Sequence, residues 1–302
     1  MPCRSPFSLL VAALLALLIQ PSLLRAQGTK PPVVRDTNVG YIDPAIPGDV
    51  FRLRLDAAYD NLRPNRDEFF WAAGPPFGRG PRIPESSVNY QDIAAYCETL
   101  VAPAFSAFAN VPVRFLDPQQ NANATGLADV DAGVKFALID EPDLVTTFQF
   151  RTYAPSADFS RGLGTGHVSL EPAFLAYLPL GDYWGLEGEV RDWIPVGGSS
   201  FAGNIIRYGL GAHCNLLRTS SWSVTPVAEF VGWTALDGKV SVREPTGLVN
   251  IEDATGATII NAKVGLRIRF ERPGDLYVGY GRPLTGNSWY LNTFRVELRF
   301  FF

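Results

Sequence analysis

The amino-acid sequence predicts an all-β protein, a closed antiparallel transmembrane β-barrel of about twelve strands with short periplasmic turns and longer extracellular loops. Three observations predict it. Runs of about ten residues alternate between apolar and polar side chains from Val50 to the C-terminus. The connections between these runs are short and long by turns, which is the hairpin asymmetry of outer-membrane barrels. The chain opens on an export signal and closes on Phe302.

In "MPCRSPFSLLVAALLALLIQPSLLRAQG", Arg4 precedes an apolar run from Phe7 to Ile19, Pro21 breaks it, and Ala26 meets polar Gln27. That is the layout of a cleaved secretory signal peptide over residues 1–26; the run is shorter than the ~20 apolar residues of a membrane helix. Export of a barrel implies the outer membrane of a diderm bacterium, with lipid and the barrel-assembly machinery as partners. The net charge of −4, about −6 without Arg4 and Arg25, argues against a nucleic-acid partner. Cys97 and Cys214 read as free thiols. His167 and His213 fall on different strands, so no two-histidine metal motif is present, and nothing calls for a cofactor.

Residues 27–49, "QGTKPPVVRDTNVGYIDPAIPGD", are rich in Pro and Gly and lack periodicity, so they read as an extended periplasmic segment ahead of a barrel over residues 50–302. Alternation places strands at 50–59, 88–101, 104–116, 127–139, 144–154, 167–178, 183–195, 203–217, 222–236, 257–270, 275–284 and 289–302. "APA", "DEPD", "PLGD", "RTSS" and "ERPGD" are the tight turns. Residues 60–87, 117–126, 155–166, 196–202 and 237–256 are the opposite loops. Both 27–49 and 60–87 are long enough to reach into the lumen.

The last strand, "NTFRVELRFFF", sets Phe294, Val296, Leu298, Phe300 and Phe302 on one face and Arg295, Glu297 and Arg299 on the other. Closure pairs this strand with the first, which is why an apolar C-terminus need not fray. The ending resembles the C-terminal signature by which outer-membrane proteins are recognised for assembly, and the five apolar residues are its candidate carriers.

The polar faces predict the pore lining. The first strand supplies Arg52, Arg54 and Asp56; the second and third supply Glu98 and Arg114; the fourth and fifth, Lys135 and Arg151. Glu171, Glu187, Glu189 and Arg191 line the hairpin that follows. Arg207, Glu229, Lys263, Arg267 and Arg269 come next, then Arg295, Glu297 and Arg299. Signs are nearly balanced, which suggests cross-strand ion pairs in a narrow lumen. Basic residues gather on the tenth, twelfth and first strands, beside inward Gly279 and Gly281, as an anion path would require. Aromatics near strand ends, Tyr183, Trp184, Trp193, Trp222, Trp233, Trp289 and Tyr290, fit interfacial girdles.

"FSAFANVPVRFL", "GLADVDAGVKFALI", "HVSLEPAFLAYLPLGDYWGLEGEVRDWIP" and "VTPVAEFVGWTALDG" resemble bacterial outer-membrane barrels grouped as a phenol-degradation-pathway, transporter-like family. The resemblance spans nearly all of 50–302 and implies passage of a small-molecule solute through a passive channel or transporter, with no catalytic residues to carry over. Two alternatives stand beside it. One is a barrel whose lumen is plugged. The other is a barrel lipid hydrolase using His167 and Ser169, oriented by Glu171, which the inward register of "GHVSLE" disfavours because such enzymes act from the outer wall.

Overall fold

The computed structural model describes residues 37–61, 79–81, 83, 85–219, 221–243, 246–247, 249–270, 274–285 and 290–302. The expected signal peptide, the lead-in up to residue 36, most of the first long loop, the "ERPGD" turn and Trp289 lie at least partly outside them. The strands are β1 (Val50–Asn61), β2 (Val88–Ala102), β3 (Phe105–Pro118), β4 (Ala124–Leu127), β5 (Val130–Glu141), β6 (Leu144–Ala154), β7 (Val168–Leu180), β8 (Trp184–Val196) and β9 (Ile205–Cys214). Then follow β10 (Leu217–Arg218), β11 (Trp222–Ala235), β12 (Lys239–Arg243), β13 (Val249–Asp253), β14 (Thr258–Phe270), β15 (Gly274–Pro283) and β16 (Asn292–Phe301).

Twelve of these close a ring in the order β1-β2-β3-β5-β6-β7-β8-β9-β11-β14-β15-β16, with β16 returning to β1. All neighbours in the ring are antiparallel, and the described residues contain no α-helix, only a single 3₁₀ turn at Phe159–Arg161. The closing seam pairs Phe51 with Phe300, Arg54 with Glu297 and Asp56 with Arg295. No wall strand is left as an open edge. The remaining strands sit outside the ring: β4 folds back on β3, β10 extends beside β11, and β12 pairs only with β13.

The burial pattern separates a membrane barrel from a soluble sandwich. Lys135 is 1 % exposed while its neighbour Phe136 is 48 % exposed. The same inversion recurs in Glu229 beside Phe230, Lys263 beside Val264 and Arg299 beside Phe300. A sandwich would bury the apolar face; here the charged face is inside and the apolar face meets a solvent that must be lipid. Phe294, Val296, Phe300 and Phe302 stand on that outer face, and Leu298 shares their register half-buried.

Local chemistry explains the hairpins. In "PLGD", Gly181 takes φ 67° between β7 and β8, a left-handed turn position that a β-carbon would strain. Two expectations change in detail. The stretch 203–217 stops being wall at Cys214, since Leu217–Arg218 pair with β11 as a separate two-residue strand. The loop 237–256 carries the β12–β13 hairpin, whose strands of five residues are too short for a membrane span.

Candidate functional site

The inward faces of most wall strands carry ion pairs. Arg295 grips Asp56 with both ends of its guanidinium, Nε to Oδ1 at 2.6 Å and Nη2 to Oδ2 at 2.8 Å. Arg54 reaches Glu297 at 2.9 Å. Arg267 and Arg299 share Asp275 at 2.6 and 2.7 Å, and Arg269 stands 3.9 Å from it. On β1 and the strands that follow it, Glu98 holds Lys135 at 2.9 Å and Arg52 at 3.9 Å, while Arg114 holds Asp92 at 2.7 Å. Glu171 lies between Arg191 at 2.9 Å and Arg151 at 3.3 Å; Glu189 bonds Arg191 and lies 3.0 Å from Arg207; Glu187 faces His213 at 3.5 Å. The polar residues assigned inward from the sequence thus fall on the inward register, with Glu229 and Lys263 on it but outside this pairing.

Residues 37–49 lie among these side chains, with no regular secondary structure. Their carbonyls are taken by basic residues in succession. Arg299 donates to Thr37 O at 2.9 Å, Arg267 to Asn38 O at 2.9 Å and Val39 O at 2.6 Å, Arg295 to Gly40 O, and Arg207 to Tyr41 O at 2.6 Å. Lys135 then takes Pro44 O at 3.1 Å. The N–H groups go to acids. Asn38 donates to Glu187 at 3.1 Å, Asp43 to Glu189 at 2.9 Å, and Gly40, Tyr41 and Ile42 all donate to Glu229 at 3.0, 2.9 and 2.9 Å. Buried backbone must find partners. Here wall charges supply what a neighbouring strand would.

Arg299 and Glu98 lie near the short-turn rim, with Arg295 and Glu229 deeper. The segment therefore enters from that rim, turns at residues 40–43 and returns to Asp49, whose carboxylate accepts from Leu100 N at 2.8 Å. Apolar contacts fix both arms. Val39, Tyr41 and Ile42 pack on inward Val227, Val231 and Tyr277, and Ala45 packs on Val145, Ala173 and Leu175. Asp43 adds an ion pair to Arg151 at 2.6 Å and to Arg191 at 3.0 Å.

The space expected beside Gly279 and Gly281 is filled. A β-carbon at Gly279 would stand 2.6 Å from the Tyr277 ring, one at Gly265 2.2 Å from the Tyr277 hydroxyl, and one at Gly40 2.2 Å from the same ring. Two wall glycines and one segment glycine therefore make the slot in which Tyr277 lies. Glycine has no side chain to collide, which is why only it fits there.

On the long-loop side of the segment the lumen opens into a cavity of about 240 Å³. Tyr41 and Asp43 bound it from the segment; Arg54, Asp56, Lys263 and Arg295 are among the charges, and Tyr90, Trp233 and Tyr290 among the aromatics. Trp233 and Tyr290 thus face the lumen, and Trp193 packs on inward Tyr153 with ring centroids 6.0 Å apart, so these three leave the expected girdle. Tyr183, Trp184 and Trp222 remain exposed at strand ends on the short-turn side. His167 and Ser169 are buried, Ser169 Oγ has no hydrogen-bond partner among the described residues, and Glu171 is engaged by the two arginines. No hydroxyl-to-imidazole relay joins them.

Reading the sequence by alternation missed four contributors: Asp43, Asp275, Tyr277 and the aromatic walls. Asp43 lies in an aperiodic stretch. Asp275 opens its strand beside a turn, and an inward tyrosine carries no charge to mark it. The available signal was the run "VGYID", three apolar residues and one acid amid Pro and Gly.

No known protein-family profile matches the chain, and no curated protein sequence does. Solved structures do. An outer membrane channel from Pseudomonas putida F1 is similar with TM-score 0.53 at 11% identity, over 90% of this chain and 98% of that one. The KdgM porin gives 0.45 at 9% identity over 84% and 99%, and LpxR from Salmonella typhimurium 0.48 at 12% over 83% and 100%. At such identities the first likeness speaks for the fold, a closed barrel of the outer-membrane kind.

Proposed function

We propose that this protein is an outer-membrane channel for small solutes, admitting them to the cavity on the long-loop side and passing them when residues 37–49 give way. The observation that carries the reading is the division of the lumen. A polar, aromatic-walled vestibule lies on one side of a segment held by wall side chains and not by strand pairing. A purely structural barrel has no use for such a vestibule, whereas bonds to side chains can be exchanged for water. The export signal read from the sequence, the barrel fold and its likeness to an outer membrane channel support the setting.

A plugged barrel without conductance is the second reading, favoured by the number of bonds that seat the segment. Planar-bilayer recording and liposome swelling separate the two. The wild type should conduct little, and a variant lacking residues 37–49 should conduct strongly while retaining heat-modifiable migration. A truncated, folded barrel that still fails to conduct removes the channel reading.

A further inference from the structure

Among the described residues, the cavity holds one amine that no carboxylate of the protein reaches at ion-pair distance. Its carboxylates are each engaged: Asp56 by Arg295 at 2.6 Å, Asp92 by Arg114 at 2.7 Å, Asp43 by Arg151 at 2.6 Å and Asp131 by Arg151 at 3.3 Å. Lys263 is only 6 % exposed and lines the same cavity, yet no carboxylate among the described residues comes within ion-pair distance of it. Its cross-strand neighbour is Glu229, which would be its natural partner. Glu229 instead turns its oxygens to the N–H groups of Gly40, Tyr41 and Ile42 and to the Tyr277 hydroxyl at 3.3 Å.

Three aromatic rings surround the Lys263 ammonium instead. Nζ lies 3.7 Å from the Tyr41 ring centroid, 5.5 Å from Tyr290 and 5.8 Å from Trp233. Ring faces attract a cation but accept none of its three N–H bonds in full. The hydroxyls of Tyr41 and Tyr290 are buried and also have no hydrogen-bond partner among the described residues. Lys263, Tyr41 and Tyr290 all line one cavity, and none of their polar ends has an acceptor among the described residues. Buried polar groups are ordinarily paired, so a cluster of idle donors marks where a missing acceptor belongs.

We propose that this cage is a binding site for a small organic carboxylate, its anionic group on Lys263 and its slim or flat body against the rings of Tyr41, Tyr290 and Trp233. The volume of about 240 Å³ limits the ligand to the size of a single-ring acid. A carboxylate brings a negative charge and several lone pairs to Lys263 Nζ together with a body for the rings; a halide has no such body and a neutral amide no such charge. Arg54 and Arg295 share the cavity but keep their own partners, so the group without one is the Lys263 amine.

The proposal deepens the channel reading, and its test needs only a folded barrel. Benzoate titrated calorimetrically into the full, detergent-refolded protein should bind saturably at one site. Benzamide, of the same shape without the charge, should bind at least about tenfold more weakly, as loss of a charged hydrogen bond implies. K263M, checked by heat-modifiable migration, should weaken benzoate about tenfold to a hundredfold, and Y290L, which removes the ring, should weaken it severalfold. Failure of benzoate to bind, benzamide binding as tightly, or chloride competing as well as benzoate would each overturn the site. All three are measured on the wild type, so the test stays decisive even if K263M does not fold. A barrel that conducts without binding benzoate sinks this proposal alone. One that binds it without conducting sinks the channel alone.

Discussion

Glu229→Gln should unseat the lumenal segment. One carboxylate oxygen accepts from Tyr41 and Ile42 and the other from Gly40 and the Tyr277 hydroxyl, all inside the barrel. An amide keeps one oxygen and puts an NH₂ where the second stood, facing the Gly40 N–H with no acceptor to offer. Leaving that donor unanswered costs about 1–3 kcal/mol, and replacing charged by neutral acceptance in the retained pair costs about 1 kcal/mol more. The seated-to-released ratio should therefore fall by roughly thirtyfold to a thousandfold at about 1.4 kcal/mol per decade. The barrel itself should persist, since Glu229 is only one residue of a twelve-stranded wall. Single-channel recording reads the effect as longer or more frequent openings, and proteolysis from the periplasmic side reads it as faster cleavage within 37–49. A folded variant with wild-type conductance and wild-type protection would refute the reasoning.

Three further outcomes follow from the same geometry. Gly265→Val should push the Tyr277 ring against the segment, since even a β-carbon there lies 2.2 Å from its hydroxyl; the overpacking costs about 1–3 kcal/mol and should mimic Glu229→Gln in bilayers. Replacing Phe300 and Phe302 with Asp should reduce membrane insertion, because charge on the lipid face costs up to ~2–4 kcal/mol near the midplane and less near the interface. Arg54→Ala, on the opposite face of the same seam, should insert normally, and the reverse result would exchange inside for outside. The barrel without residues 37–49 should prefer anions in reversal-potential measurements, because removing the segment takes Asp43 away from Arg151 and Arg191 and uncovers Arg267, Arg295 and Arg299. Cation preference would contradict it.

How far the sequence reaches can be seen in the arginines of β14 and β16. Alternation of period two assigns a side to every residue once the strand is recognised, so Arg267, Arg295 and Arg299 are legible as inward and Phe294 and Phe300 as outward. What those arginines do is another matter. From the sequence they form a basic ladder beside small residues, and the natural inference is an open path for anions. In the folded chain, consecutive carbonyls from Thr37 to Tyr41 occupy much of that ladder. A backbone carbonyl is present at every residue and leaves no mark in composition, so a segment that docks through its main chain is invisible to pattern reading. The acids show the same limit: their near-balance with the bases reads as cross-strand ion pairs, yet three N–H groups from the lead-in draw the Glu229 carboxylate away from Lys263, which lies opposite it, and leave that amine among rings. The wall is written in side-chain periodicity. Its contents are written in main-chain hydrogen bonds, and it is their competition for Glu229 that turns a structural lysine into a cavity cation with no acid of its own among the described residues.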